Sequence, residues 1–241
     1  MPEIWSHELP MRWADLDVLN HVTNVVYLDY AAEAQAVLRR DGHLEAGRPV
    51  RDIEVTYLRP TALSTRPLLV RSSLDGDALT QEICTTAGDE PAVHARVVTT
   101  YGAPAAPQVP VLDGEPVEAR VRISDLDATG AVSLIGQFRV AQEARVLHFG
   151  TRMKRDVLGQ FVVGTISLQS VLPLTWRPEP YQAHSWISRV GNGSFTINTL
   201  VGDPSAPVFV NHTTLVGFDR ETQAARPFAD AERAHLHEHL R

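Results

Sequence analysis

A short segment near the amino terminus contains side chains suited to acid–base or nucleophilic chemistry. Asp17 is followed by His21 and Asn24, and Asp15 lies two residues before it. A carboxyl group with a pKa of about 3.9 is ionised at neutral pH, so Asp17 can activate water or attack an electrophilic carbon directly. His21 can orient a substrate or carry a proton because imidazole titrates near neutrality, and Asn24 can position a carbonyl group or water. Taken singly, Asp17 is also typical of a turn, His21 of a packed turn histidine and Asn24 of a helix cap.

The residues after this segment predict a helix that begins beside Asp17. Its N-cap is predicted to be Asn24 or Thr23. The carboxylate of Asp17 would then face the N–H groups of residues 23–26, including those of Thr23 and Val25, which are suited to stabilising an oxyanion. The apolar stripe that predicts the helix has a spacing of three and four residues and consists of Tyr27, Tyr30, Ala31, Ala34, Val37 and Leu38.

The chain also repeats itself. Segment 12–17 matches segment 122–127 in Arg, Asp, Leu and Asp at one offset. Later pairs continue the series at slightly larger offsets, namely Ile53 with Ile166, Pro60 with Pro173, and 95–102 with 210–217. An ordered series whose offset drifts slowly is the pattern of a tandem duplication with small loop insertions.

The duplication predicts the domain boundaries. The first domain is expected at 1–103 and the second at 117–220, with a linker at 104–116, because GAPAAPQVPVLDGEP at 102–116 contains four prolines that interrupt regular structure. Residues 221–241 are predicted to form a polar, His-rich tail with helical character.

Each copy is predicted to contain a strand, a turn, one long helix and then several strands, which is an α+β unit in which the sheet wraps around the helix. The predicted strands of the first copy are rich in β-branched residues and are Ile53–Leu58, Leu68–Leu74, Leu79–Thr85 and Ala92–Tyr101. The helical stripe of the second copy consists of Ile135, Phe138, Val140, Ala141, Ala144 and Leu147.

Composition excludes several other classes of protein. The formal charge of −7 argues against nucleic-acid binding. No apolar run approaches the roughly 18 residues of a membrane helix, no secretory signal is visible, and Cys84 has no partner for an internal disulfide. A cytoplasmic protein is therefore expected.

The segment RWADLDVLNHVTNVVYLDYAAEA, residues 12–34, resembles the opening signature of the 4-hydroxybenzoyl-CoA thioesterase family of hotdog proteins. VTYLRPTALSTRPLLV, residues 55–70, is similar to the family's strand pair around an aromatic-Leu-Arg-Pro element. The resemblance implies a double hotdog, in which each antiparallel sheet wraps one central helix and active sites lie between units. It also implies hydrolysis of an acyl-CoA or acyl-ACP thioester, with no cofactor beyond coenzyme A as part of the substrate.

The resemblance assigns the catalytic carboxylate to Asp17, with His21 and Asn24 completing the site. Tyr27 is a further candidate for substrate binding, and Arg59 is a candidate for binding the phosphates of the carrier.

The second copy retains Asp127 but has Gly130, Ala131 and Leu134 in place of Asn20, His21 and Asn24. One working site is therefore expected, with Asp127 as the candidate for a second.

No metal site is predicted. His235, His237 and His239 alternate, and such a spacing directs side chains to different faces of a helix, so a solvated tail is expected.

Two other functions are compatible with a hotdog. One is a hydratase or dehydratase acting on an enoyl or hydroxyacyl thioester, and the other is a non-catalytic acyl-CoA-binding protein. Exposed sheet edges also predict that two chains pair as a homodimer.

Overall fold

The computed structural model describes residues 3–17, 20–86, 91–107, 109–110, 112, 115–153 and 159–241. They form two compact units, Met1–Ala103 and Pro104–Arg241. Each unit contains an antiparallel sheet and one long helix, so the predicted α+β class is confirmed. In the described residues, no helix combines the length and apolar character that crossing a bilayer requires.

The described part of the first unit contains five strands and one long helix. In its sheet the strands follow the order β1-β3-β4-β5-β2, and every neighbouring pair is antiparallel. Helix α1 packs against β3, β4 and β5. The elements are β1 (Ile4–Leu9), α1 (Val26–Arg40), β2 (Val50–Tyr57), β3 (Leu68–Asp75), β4 (Ala78–Thr85) and β5 (Ala92–Tyr101), with a short 3-10 helix at Trp13–Asp15.

Helix α1 buries the face that its apolar spacing predicts. Ala31, Ala34 and Leu38 are at most 1% exposed, and the small alanines allow the helix backbone to approach the sheet closely. A buried polar contact fixes the register, because Gln35 Nε2 donates to Gln81 Oε1 at 2.9 Å and Gln81 Nε2 donates to the Ala31 carbonyl at 3.0 Å. Both buried amides therefore have partners, as buried polar groups require.

The second unit repeats this plan with longer strands. Its sheet has the order β7-β10-β9-β8-β6, again antiparallel throughout, and β11 pairs with the end of β10. The elements are β6 (Val117–Ala119), α2 (Leu134–Arg152), β7 (Phe161–Ser170), β8 (Tyr181–Val190), β9 (Ser194–Asp203), β10 (Ala206–Asp219), β11 (Ala224–Ala225) and α3 (Asp230–Glu238), with a 3-10 helix at Ile123–Asp125.

Helix α2 buries Phe138, Ala141 and Ala144 as predicted, but Leu147 is exposed, so its inclusion in the buried stripe was wrong. The buried face instead includes Arg145, whose Nη1 donates to the hydroxyl of Thr213 on β10 at 2.7 Å. Arg145 occupies the repeat position of Gln35, and both connect the helix to the sheet through a buried polar contact.

The segment 221–241 contains a helix, as predicted, but it is not wholly solvated. Helix α3 packs on β8, and Leu236 is fully buried in an apolar cluster with Ile187, Phe195 and Phe228. Phe228, Glu232, His235 and Leu236 are therefore buried in the second unit, while most of segment 221–241 is exposed.

Part of the predicted linker 104–116 is also packed into the second unit. Val109 and Leu112 contact a cluster formed by Trp186, Leu200 and Val210. Residues 108, 111, 113 and 114 of the predicted linker lie outside the described residues.

Candidate active site

The loop that carries Asp17 is closed by its own backbone. The Asp17 N–H donates to the His21 carbonyl at 2.8 Å, and the Asn20 N–H donates to the Asp17 carbonyl at 3.0 Å. Asn20 adopts a left-handed conformation with φ of 60°, which asparagine tolerates better than most residues. Asp17 Oδ1 accepts the His21 N–H at 3.1 Å. The carboxylate of Asp17 is thus exposed at the surface of the unit but oriented by the loop. Residues 18 and 19 lie outside the described residues.

The connection between β2 and β3 supports this loop. His21 forms a β-bridge with Ala62, and the Val22 N–H donates to the Thr61 carbonyl at 2.9 Å. The hydroxyl of Tyr27 donates to Thr61 Oγ1 at 2.8 Å. Burial raises the pKa of Tyr27, and the charge of Asp17 raises it slightly further. Tyr27 is therefore a buried neutral phenol within electrostatic reach of the candidate base.

Asp15 has a structural role, because its hydrogen bonds connect several segments. Asp15 Oδ2 accepts the backbone N–H of Arg12 at 2.7 Å and the hydroxyl of Tyr30 at 2.5 Å. Its carbonyl accepts the Thr23 N–H at 2.9 Å. Burial, followed by the hydrogen bond to Asp15, raises the pKa of Tyr30. Asp15 thus joins the 3-10 helix, α1 and the segment before α1.

The start of α1 differs from the prediction. The helix begins at Val26, and its N-cap is Val25, without a side-chain cap, so the assignment of Asn24 or Thr23 as the capping residue was wrong. Asn24 instead accepts the hydroxyl of Tyr57 on its backbone carbonyl at 2.7 Å. The N–H groups of Thr23 and Val26 are both used within the fold. In the described part of the chain, the amide N–H groups of Asn24 and Val25 have no hydrogen-bond acceptor.

Tyr57 and Thr61 were not identified from the sequence. Tyr57 contacts Tyr27 edge to face, with ring centroids 5.5 Å apart. The two residues hold the helix start and the loop through contacts with residues more than thirty positions away. Local spacing carries no signal for such contacts.

The second copy has the same backbone loop, which carries Asp127. The Asp127 N–H donates to the Ala131 carbonyl at 2.8 Å, and the Gly130 N–H donates to the Asp127 carbonyl at 3.1 Å. Gly130 has φ of 82°, the left-handed conformation that Asn20 adopts in the first copy. Asp127 Oδ1 accepts both the N–H and the hydroxyl of Thr129, at 2.8 and 2.6 Å. The hydroxyl of Thr129 is the main cause that lowers the pKa of Asp127.

In the second copy a side chain caps the start of helix α2, unlike the start of α1 in the first copy. Ser133 caps α2 by accepting the Gly136 N–H on its side chain at 3.0 Å. Gly136 packs so closely that an added Cβ would lie 2.6 Å from the Asp125 carbonyl oxygen. The imidazole and amide of the first loop have no counterpart here, because Ala131 and Leu134 occupy those positions.

Arg59, proposed from the sequence for the carrier, is exposed just after β2. Its backbone N–H donates to the His94 carbonyl at 3.3 Å, which fixes the main chain and leaves the guanidinium at the surface.

The second unit also contains a cleft of about 790 Å³ beside the exposed face of α2. Asp127 is not among the lining residues. Among its described lining residues, three guanidinium groups balance three carboxylates; these residues are Arg120, Arg122, Arg139, Glu118, Asp125 and Glu143.

Comparison with known proteins places this geometry in context. Residues 2–86 match the family model described as the acyl-ACP thioesterase C-terminal domain. No curated protein matches the chain by sequence.

Among solved structures, the chain is similar to a protein from Lactobacillus plantarum described as an oleoyl thioesterase, with a TM-score of 0.67 and 11% identity over 91% of this chain and 98% of that one. It is also similar to a 12:0-ACP thioesterase from Umbellularia californica, with a TM-score of 0.63 and 11% identity over 93% and 94% of the two chains. An acyl-ACP thioesterase from Bacteroides thetaiotaomicron gives a TM-score of 0.60 at 11% identity, over 88% and 97%.

The chain therefore has the fold of these thioesterases over nearly its whole length. The family match at 2–86 and the fold together support thioester hydrolase activity. The family match also covers the loop of Asp17 and the start of α1, where the sequence indicated the site.

Proposed function

We propose that this protein hydrolyses an acyl thioester and that Asp17 is the catalytic carboxylate. One arrangement supports this most directly. A carboxylate oriented by its own loop lies a few residues before the amides of Asn24 and Val25, which directly precede helix α1 and have no acceptor in the described part of the chain. A base or nucleophile and a donor pair for the developing oxyanion are the two elements that acyl transfer requires.

The proposed reaction begins with an ionised Asp17. The carboxylate either removes a proton from water that attacks the thioester carbon, or attacks that carbon itself to form a mixed anhydride that water then hydrolyses. In both routes the C–S bond breaks and the carrier leaves as a thiol. The His21 N–H fixes one carboxylate oxygen, which reduces the orientations that Asp17 samples.

The oxyanion is proposed to bind the N–H groups of Asn24 and Val25. These groups lie at the positive end of the α1 dipole, which favours negative charge. Removing a single oxyanion donor typically costs about 2.7–4 kcal/mol of transition-state stabilisation. The N–H groups of Thr23 and Val26 are excluded from this role because both donate within the fold.

The other candidates have supporting roles in this proposal. The imidazole of His21 and the side-chain amide of Asn24 would orient water and the substrate carbonyl. Tyr27 would form a wall of the acyl pocket, since it is only 3% exposed and its hydroxyl already bonds to Thr61. Arg59 would contact phosphate groups of the carrier at the surface.

We further propose that the two units form a double hotdog that acts on acyl-ACP or acyl-CoA. The family model at 2–86 and two of the structural relatives carry ACP in their descriptions, which favours ACP as the carrier. Pairing of two chains stays a prediction, which size-exclusion chromatography with light scattering would test.

The decisive experiment compares thiol release by Asp17→Asn and wild type on matched acyl-ACP and acyl-CoA panels of aromatic, short and long acyl chains. Asp127→Asn is the matched control, because it makes the same change at the same repeat position. General acid–base groups typically contribute about 10²–10⁴-fold, so Asp17→Asn should lose at least about a hundredfold in turnover while Asp127→Asn stays close to wild type. Equal rates for wild type and Asp17→Asn would refute the assignment, and a loss confined to Asp127→Asn would move it to the second unit.

The same panel distinguishes the two other functions. Hydration of an enoyl thioester, measured as loss of its ultraviolet absorbance without thiol release, would indicate a hydratase. A bound acyl thioester that stays intact over hours would indicate a binding protein.

A further inference from the structure

The last turn of helix α3 brings three potential metal ligands together. His235 Nδ1 lies 3.0 Å from Glu238 Oε2, and the rings of His235 and His239 meet edge to face with centroids 5.0 Å apart. One ligand atom from each of the three residues lies within 4.8 Å of the others. We propose that His235, Glu238 and His239 form a binding site for a divalent transition metal of the zinc type.

The spacing of the three residues explains why they converge. Positions i, i+3 and i+4 lie on one face of a helix, so His235, Glu238 and His239 share a face. His237 is exposed and lies between them in sequence only. Histidines two positions apart point to different faces of a helix, but His235 and His239 are four positions apart and share one face.

The chemistry of the three ligands selects the class of metal. Two imidazoles and a carboxylate are a donor set typical of zinc with one coordination position open, whereas calcium and magnesium prefer sites made wholly of oxygen. Ligand atoms about 2.1 Å from a tetrahedral zinc ion lie roughly 3.4 Å from each other. Rotation of the exposed Glu238 and the half-buried His239 can supply the contraction, while the buried His235 stays in place.

Helix α3 is a firm support for such a site. Leu236 is fully buried in the core of the second unit. In the first turn, Glu232 Oε2 accepts the Ala229 N–H at 2.8 Å. After the helix, the Arg241 N–H donates to the Ile187 carbonyl at 2.8 Å. A metal that binds here therefore orders little additional chain. Its expected role is to fasten the last turn of α3, and this proposal does not depend on thioester hydrolysis.

The test is calorimetric titration of Zn²⁺ into tag-free protein freed of metal by chelation. Wild type should bind one ion per chain. Outer-shell partners of a metal site already contribute about 10–100-fold in affinity, so Glu238→Gln and His239→Gln should each weaken binding by at least about tenfold. His237→Gln is the matched control and should bind as wild type. These three variants alter exposed or half-buried side chains, so the test does not require replacing the buried His235.

A second readout uses Co²⁺, whose visible absorption reports the number and geometry of its ligands. The band of the wild-type complex should be kept in His237→Gln and lost in His239→Gln. No binding of Zn²⁺ to wild type, or equal affinity in all four proteins, would overturn the proposal.

Discussion

The stability of the second unit should depend on the ionisation of a single buried carboxylate, Glu232, which is 4% exposed. Its two oxygens accept both terminal nitrogens of Arg226, at 2.7 and 2.8 Å. They also accept the N–H groups of Ala229 at 2.8 Å and Gly159 at 2.7 Å. Neutralising this carboxylate, by acid or by the substitution Glu232→Gln, removes the charge to which all four donors point.

The magnitude follows from the pKa. The hydrogen bond from Arg226 is the largest cause that lowers the pKa of Glu232, burial opposes it, and the bonds from Ala229 and Gly159 add to it, giving a change from 4.5 to about 2. A pKa that is lower by one in the folded state corresponds to about 1.36 kcal/mol of stability. Ionisation of Glu232 therefore stabilises the folded state by about 3 kcal/mol at neutral pH. Because the pKa is lower in the folded state, this contribution is complete above about pH 4.5 and is lost as the pH falls towards about 2.

The assay is urea denaturation combined with native-state hydrogen exchange of segment 226–241, for wild type and Glu232→Gln, from neutral pH down to about pH 3. At neutral pH the variant should be less stable by about 3 kcal/mol, and the difference should shrink steadily below about pH 4.5. Glu221→Gln, an exposed carboxylate of the same unit, is the control and should stay near wild type. A wild-type advantage over Glu232→Gln that is independent of pH would refute the reasoning.

Two further substitutions test contacts that support the loops. Tyr30→Phe removes the hydroxyl that donates to Asp15 at 2.5 Å. A hydrogen bond to a charged group is worth about 1.5–3 kcal/mol, so urea denaturation should show a loss of that size in the free energy of unfolding. An unchanged free energy of unfolding would contradict the structural role of Asp15. Gly136→Ala places a Cβ 2.6 Å from the Asp125 carbonyl and 2.8 Å from a Val132 methyl, so it should destabilise the second unit by about 1–3 kcal/mol. Gly150→Ala, at an exposed position of the same helix, is its control and should be neutral or stabilising in the same measurement.

Much of the fold could be predicted because its signals are local. The strands predicted at Leu68–Leu74, Leu79–Thr85 and Ala92–Tyr101 agree with β3, β4 and β5 to within a residue or two, since β-branched runs between turn residues define strands without reference to the rest of the chain. The buried face of α1 follows in the same way from helical spacing.

The errors arose where a distant contact replaces a local one. Asn24 does not cap α1 with its side chain, because Tyr57 on β2 donates to its carbonyl and orients the segment. Segment 221–241 looked solvated because its composition is polar. The few buried contacts of this segment, those of Leu236 and of Glu232 with Arg226, are hidden when hydropathy is averaged over it.

The two copies of the loop show how the backbone keeps its conformation when the side chains around it change. Both loops close through the same pair of backbone bonds and place a residue of positive φ at the same position, Asn20 or Gly130. None of these features requires the imidazole of His21 or the amide of Asn24, so their loss in the second copy costs no backbone contact. Asp127 Oδ1 accepts two hydrogen bonds from Thr129 within the loop, and these lower the pKa of Asp127. A lower pKa makes Asp127 a weaker proton acceptor than an ordinary aspartate, which agrees with the proposal that Asp17 is the catalytic carboxylate.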